Sequence, residues 1–108
     1  MSKDANHETI CRAFRQAGAD VVSLHTLGSG VPVLLIGFAG TERLVEVKLP
    51  KRKSDQKETP RTHLSRVQRN WHNSWKGHTP LVVRTPEEAE RVLDIMAESQ
   101  QESSHVSE

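Results

Sequence analysis

Glu46 and Lys48 are the pair on which chemistry could be built. They stand two apart in Leu44-Val45-Glu46-Val47-Lys48, an apolar run of strand type, and an even separation in a strand sends both side chains to one face. An acid and a lysine so placed make an ordinary ion pair, or they make part of a metal site. The second outcome needs another carboxylate, and Glu8 opens an amphipathic helical stretch that could bring it across the sheet. Two carboxylates can hold a magnesium ion that keeps most of its waters. A lysine beside them can orient or deprotonate one water for in-line attack on a phosphodiester.

The elements that must position these groups are short. Ile10, Ala13, Phe14 and Ala17 recur at helical spacing after Asp4 or Asn6 as N-cap, with Gly18 as the stop. Val21, Val22 and Leu24 read as a strand, and Gly28-Ser29-Gly30 as a connection. Val33 to Ile36 reads as a second strand, Gly37 to Gly40 as a turn, and Leu44 to Lys48 as the third strand. Residues 49–62 are rich in Lys, Arg, Ser and Pro without periodicity and predict an exposed loop. Leu64, Val67, Trp71 and Trp75 give the apolar stripe of a second helix, capped near Thr62 and stopped by Gly77. Leu81 to Val83 makes a fourth strand. Thr85-Pro86-Glu87-Glu88 is a helix start with a capping-box glutamate, and Ala89, Val92, Leu93 and Met96 form the buried face behind it. The order α-β-β-β-α-β-α predicts an α/β chain of the α+β kind, a mixed sheet flanked by helices.

With 108 residues there is room for one domain, placed at 1–97, and the polar stretch 98–108 reads as a disordered tail. Charges nearly cancel, at +1, so affinity for nucleic acid would have to come from a local patch. A single cysteine, Cys11, excludes an internal disulfide or thiolate zinc cluster and is read as a helix-packing residue. No apolar run is long enough to span a bilayer, and the polar start lacks a signal core, so a cytoplasmic protein without membrane contact is expected.

Several linked motifs carry a resemblance: Asp4-Ala5-Asn6-His7-Glu8, Gly30-Val31-Pro32-Val33-Leu34-Leu35-Ile36-Gly37, Leu44 to Lys48, Gln68 to Trp71, and Trp75-Lys76-Gly77. In this order they resemble the PD-(D/E)XK nuclease superfamily, especially its small phage and bacterial members related to the virus-type replication-repair nucleases. The resemblance spans most of residues 4–93. It implies a restriction-endonuclease-like core with a central four-stranded mixed sheet, and a magnesium-dependent DNase. In that family the acid after the proline and the glutamate of Glu-x-Lys bind the metal, the lysine assists the attacking water, and a glutamine on the next helix faces the catalytic side. Carried over, the catalytic residues would be Glu46, Lys48 and Gln68. The position after Pro32 is here Val33, which removes the customary acid. Glu8, Glu46 and the carbonyl of Val47 are the oxygens left for a magnesium ion.

The expectation is therefore a nuclease-like DNA-binding protein of phage or mobile-element type, with a degenerate metal site and weak or absent hydrolysis. Lys51, Arg52, Lys53, Lys57 and Arg61, with Arg66 and Arg69 on the second helix, would meet phosphates, each contact releasing a counterion. Two alternatives stay open. The scaffold could serve as a protein-binding module, such as a phage inhibitor of a host defence system. Or activity could persist through a relocated ligand, for which Asp20, Glu42 and His25 are the nearby candidates, or through a homodimer. Trp71 and Trp75 are read as packing partners, with base stacking as the minority role. The histidines at 7, 63, 72 and 78 show no zinc spacing and are assigned surface or capping roles.

Overall fold

The computed structural model describes residues 5–50 and 63–106, and the side chains of these as far as residue 99. The elements follow the order α1 (His7–Gln16), β1 (Asp20–Ser23), β2 (Leu34–Phe38), β3 (Thr41–Val47), α2 (Arg66–Ser74), β4 (Leu81–Val83) and α3 (Pro86–Val106). The four strands make one mixed sheet in sequence order, with β1–β2 and β2–β3 antiparallel and β3–β4 parallel. Among the described residues no helix is long and apolar enough to cross a membrane.

Strand parity divides the sheet into two unlike faces. Leu34 pairs with Val45, and these two, with Ile36, Val47 and Val83, are buried against Ile10 and Phe14 of α1 and Val92, Leu93 and Met96 of α3. That side is the apolar core, and Cys11 lies buried in it as a packing residue. The alternate positions Leu35, Leu44, Glu46 and Val82 must face the other side. Burial of Glu46 and Val47 in succession shows β3 covered on both faces.

Local chemistry moves several boundaries. Val33 lies in a bend just before β2 rather than in the strand. The β2–β3 turn is Ala39-Gly40 alone, both at positive φ (53° and 76°), as a two-residue hairpin matched to strand twist requires, so Gly37 and Phe38 stay paired. Asn6 precedes α1 but its side chain does not cap it; Nδ2 donates to the carbonyls of Lys48 and Arg84, both at 3.0 Å. The helix start at Thr85 behaves as expected in one half, since the Glu88 N–H donates to Thr85 Oγ1. The glutamate reaches one residue further back than a capping box would, accepting from the Arg84 N–H. Finally, α3 continues to Val106, through the stretch whose composition suggested a disordered tail. Its Glu, Gln and Ser residues break no helix, although the last core residue on it is Met96.

Candidate functional site: a buried polar cluster under the second helix

Glu46 and Lys48 are each 5% exposed, on the sheet face opposite the apolar core. Glu46 is set by its pairing with Val82, and Lys48 by an N–H that donates to the Val83 carbonyl and so extends the parallel ladder one step. The Lys48 carbonyl is clamped by Asn6. Two charged side chains are thus fixed on a central strand by backbone bonds on either side of them.

On this side lies α2, whose buried His72 is reached by the charge of Lys48 and whose C-cap Trp75 lines a hollow with Leu35 and Leu44. Ser65 is its N-cap, in a complete capping box with Gln68: the Gln68 N–H donates to Ser65 Oγ, and the Ser65 N–H donates to Gln68 Oε1 at 2.9 Å. The helix therefore begins at Arg66, not near Thr62, and the carbonyl oxygen of Gln68 is committed to the cap. The chain also approaches α2 closely at Gly30, where φ is +85° and a Cβ would sit 2.6 Å from the Val67 carbonyl oxygen. This approach fixes the rotation of the helix. Val67, expected on the buried stripe, is 57% exposed, and the residue turned inward is His72, 7% exposed. His72 goes to the Lys48 end of a sheet face that is otherwise apolar at Leu35, Leu44 and Val82, which apolar spacing could not reveal.

The charge of Lys48 reaches His72. Burial lowers the pKa of His72 from its ordinary value, and the positive charge of Lys48 lowers it further. Its Nε2 is buried and makes no hydrogen bond among the described residues, and the same is true of Oδ1 of Asn6. His7 is also buried, with its ring 6.5 Å from that of His25. Of the four histidines assigned to the surface or to caps, His7 and His72 are interior; His7 stands three residues before Ile10, on the apolar stripe of α1.

The remaining expected site residues scatter. Glu8 is exposed on α1. Val47 sends its side chain into the core, 2% exposed. Arg66 and Arg69 are exposed on α2. Lys51, Arg52, Lys53, Lys57 and Arg61 lie outside the described residues. Val33 accepts from the Leu24 N–H at 2.7 Å, which carries the β1–β2 pairing past the strands, and the β2–β3 register continued likewise sets it level with Glu46. Its half-buried side chain packs against the apolar cluster. Of the candidate replacement ligands, Asp20 and Glu42 both pair with Gly37 at the hairpin end. Glu42 is four residues from Glu46 along β3, about 13 Å at strand rise.

The cluster offers a magnesium ion one buried carboxylate, Glu46, while Glu8 is exposed on α1. A hard divalent cation needs several oxygen ligands with carboxylate charge among them. The Val33 side chain offers no oxygen, and among the described residues no three His, Cys, Asp or Glu side chains come together as a ligand set. What the cluster can do is hold a carboxylate, an ammonium and an imidazole in a dry, fixed arrangement at the strand end.

The sequence also separates charge. Between residues 50 and 86, the segment containing α2, the sequence has nine Lys or Arg against two Asp or Glu. After residue 86 it has one against seven. A near-neutral chain is therefore polarised along its sequence, and of the described basic residues in the first segment Arg66, Arg69 and Lys76 are exposed. Comparison with protein families, curated proteins and solved structures finds no match for this chain.

Proposed function

We propose that this chain is a nucleic-acid-binding domain of PD-(D/E)XK nuclease type that engages DNA without metal-dependent hydrolysis. The observation that carries the reading is the nearness of two things: the buried Glu-x-Lys pair, and α2 with its exposed Arg66 and Arg69 followed by the exposed Lys76. The element order and the Gly30-to-Gly37 and Leu44-to-Lys48 motifs support the nuclease-type ancestry. The poor fit to magnesium supports the absence of hydrolysis. In this reading Lys48 holds the charge of Glu46 in the interior, and α2 with the adjoining basic residues meets the phosphate backbone.

The test is a pair of assays on the full chain. Fluorescent duplex and single-stranded oligonucleotides should bind at low salt, with log affinity falling linearly against log salt concentration, roughly 0.9 per phosphate contact on duplex. With magnesium, wild type and Glu46→Ala should both leave the DNA intact. Absence of binding at low salt would remove the proposal. Magnesium-dependent cleavage lost in Glu46→Ala would show instead that a working metal site survives.

A further inference from the structure

The polar cluster is not the only formed feature on the α2 side of the sheet. Trp75 closes α2 as its C-cap, and its indole stacks on that of Trp71 with ring centroids 4.8 Å apart and planes 16° from parallel. Stacking fixes the ring, yet Trp75 is 45% exposed. Beside it lies a hollow of about 170 Å³, floored by the cross-strand pair Leu35 and Leu44, walled by Trp75, and bordered by Glu42 and Arg43. Gly77 completes the wall, and only glycine suits the position: a Cβ there would lie 2.6 Å from Nε1 of Trp75.

We infer that this hollow seats one unpaired base of a single-stranded nucleic acid, stacked on the indole of Trp75. The inference rests on the nucleic-acid reading above and names the form of the substrate. A flat aromatic wall over an aliphatic floor suits a planar ring, and base-on-indole stacking needs no particular sequence. A base within a duplex already has both faces covered, so the seat selects an unpaired one. Arg43 is held in place by donation from Nη2 to the Thr79 carbonyl at 3.0 Å, and its Nε is buried with no hydrogen bond among the described residues. Glu42, exposed at the rim, accepts from an imino or amino N–H on the base edge. The phosphates on either side meet a positive segment: from residue 59 to residue 86 there is no Asp or Glu, and Arg66, Arg69 and Lys76 are exposed there.

The chain provides its own probe, since Trp71 and Trp75 are its only tryptophans and it has no tyrosine. Titrating the full chain with oligothymidylate at low salt should quench the intrinsic fluorescence. Trp75→Leu should weaken binding by about fivefold to a hundredfold, the range for loss of one stacked base. Trp75→Phe, which keeps a ring, should fall between. Arg69→Ala should weaken binding and its salt dependence while leaving the quench at saturation intact. Circular dichroism checks that each variant folds. Wild-type binding that is unaltered in both Trp75 variants overturns the base seat and leaves the nucleic-acid reading standing, as does binding confined to duplex. No binding of wild type to any oligonucleotide overturns both.

Discussion

Protonation of His72 is the sharpest lever on the buried cluster. An unfolded histidine takes up its proton near 6.5, whereas His72 in the fold resists it, through burial first and the neighbouring Lys48 charge second. Below 6.5 the unfolded chain therefore binds more protons than the folded one, and stability falls as the pH drops until the folded imidazole is also protonated. Above 6.5 both states are neutral and this group contributes no slope. One proton is worth about 1.4 kcal/mol per pH unit, so between pH 6.5 and 5.0 the loss cannot exceed about 2 kcal/mol. For a domain of this size that corresponds to a fall in Tm of up to roughly 8–16 °C. The measurement is urea or thermal unfolding at pH 7.5 and 5.0 on wild type and His72→Gln, comparing the change in each so that other titrating groups cancel. His72→Gln should show the smaller acid loss. Lys48→Met should also reduce the loss relative to wild type, because one of the two causes has gone. Equal pH dependence in wild type and His72→Gln, within about 0.3 kcal/mol, would mean that the imidazole is not held neutral by the fold and that the cluster is wet.

Three further outcomes are expected. Asn6→Ala removes both donors to the Lys48 and Arg84 carbonyls and should destabilise by about 1.5–3 kcal/mol in chemical denaturation, more than the loss of an exposed side chain. Ser65→Ala deletes the cap of α2 and should cost about 1 kcal/mol, with faster amide exchange in the first turn of α2 than elsewhere as its local mark. Gly30→Ala meets both a left-handed φ and the Val67 carbonyl, so a loss above about 1 kcal/mol is expected, with amide chemical-shift changes concentrated along α2.

Much of the fold was legible because its signals are local. Ala89, Val92, Leu93 and Met96 are buried together, and Leu34, Ile36, Val45 and Val47 form one face, as periodicity required. The pair Glu46 and Lys48 was legible for the same reason, since strand parity is rigid. The orientation of α2 was not. Leu64, Val67, Trp71 and Trp75 form a convincing stripe, but in α2 it is His72 that is buried, while Val67 and Trp75 keep much of their surface in water. Two backbone facts set that phase, the Ser65 cap and the absence of a side chain at Gly30, and neither appears in an apolar pattern. The interior place of His7 could be read from its spacing to Ile10 and Phe14, whereas that of His72 follows from tertiary packing.

The parallel pairing of β3 with β4 has a consequence for assembly. β1, β2 and β3 are neighbours in sequence and can zip through short connections, but β4 must find β3 after the chain has travelled from Val47 to Leu81. Closing that span is the slow entropic step, and the hairpin strands should be protected from exchange before β4 and α3 dock. Doubling the span would add only about 0.6 kcal/mol to the closure. Stability therefore tolerates a change in length within that stretch, away from α2 and the site residues, while the strands themselves stay in register.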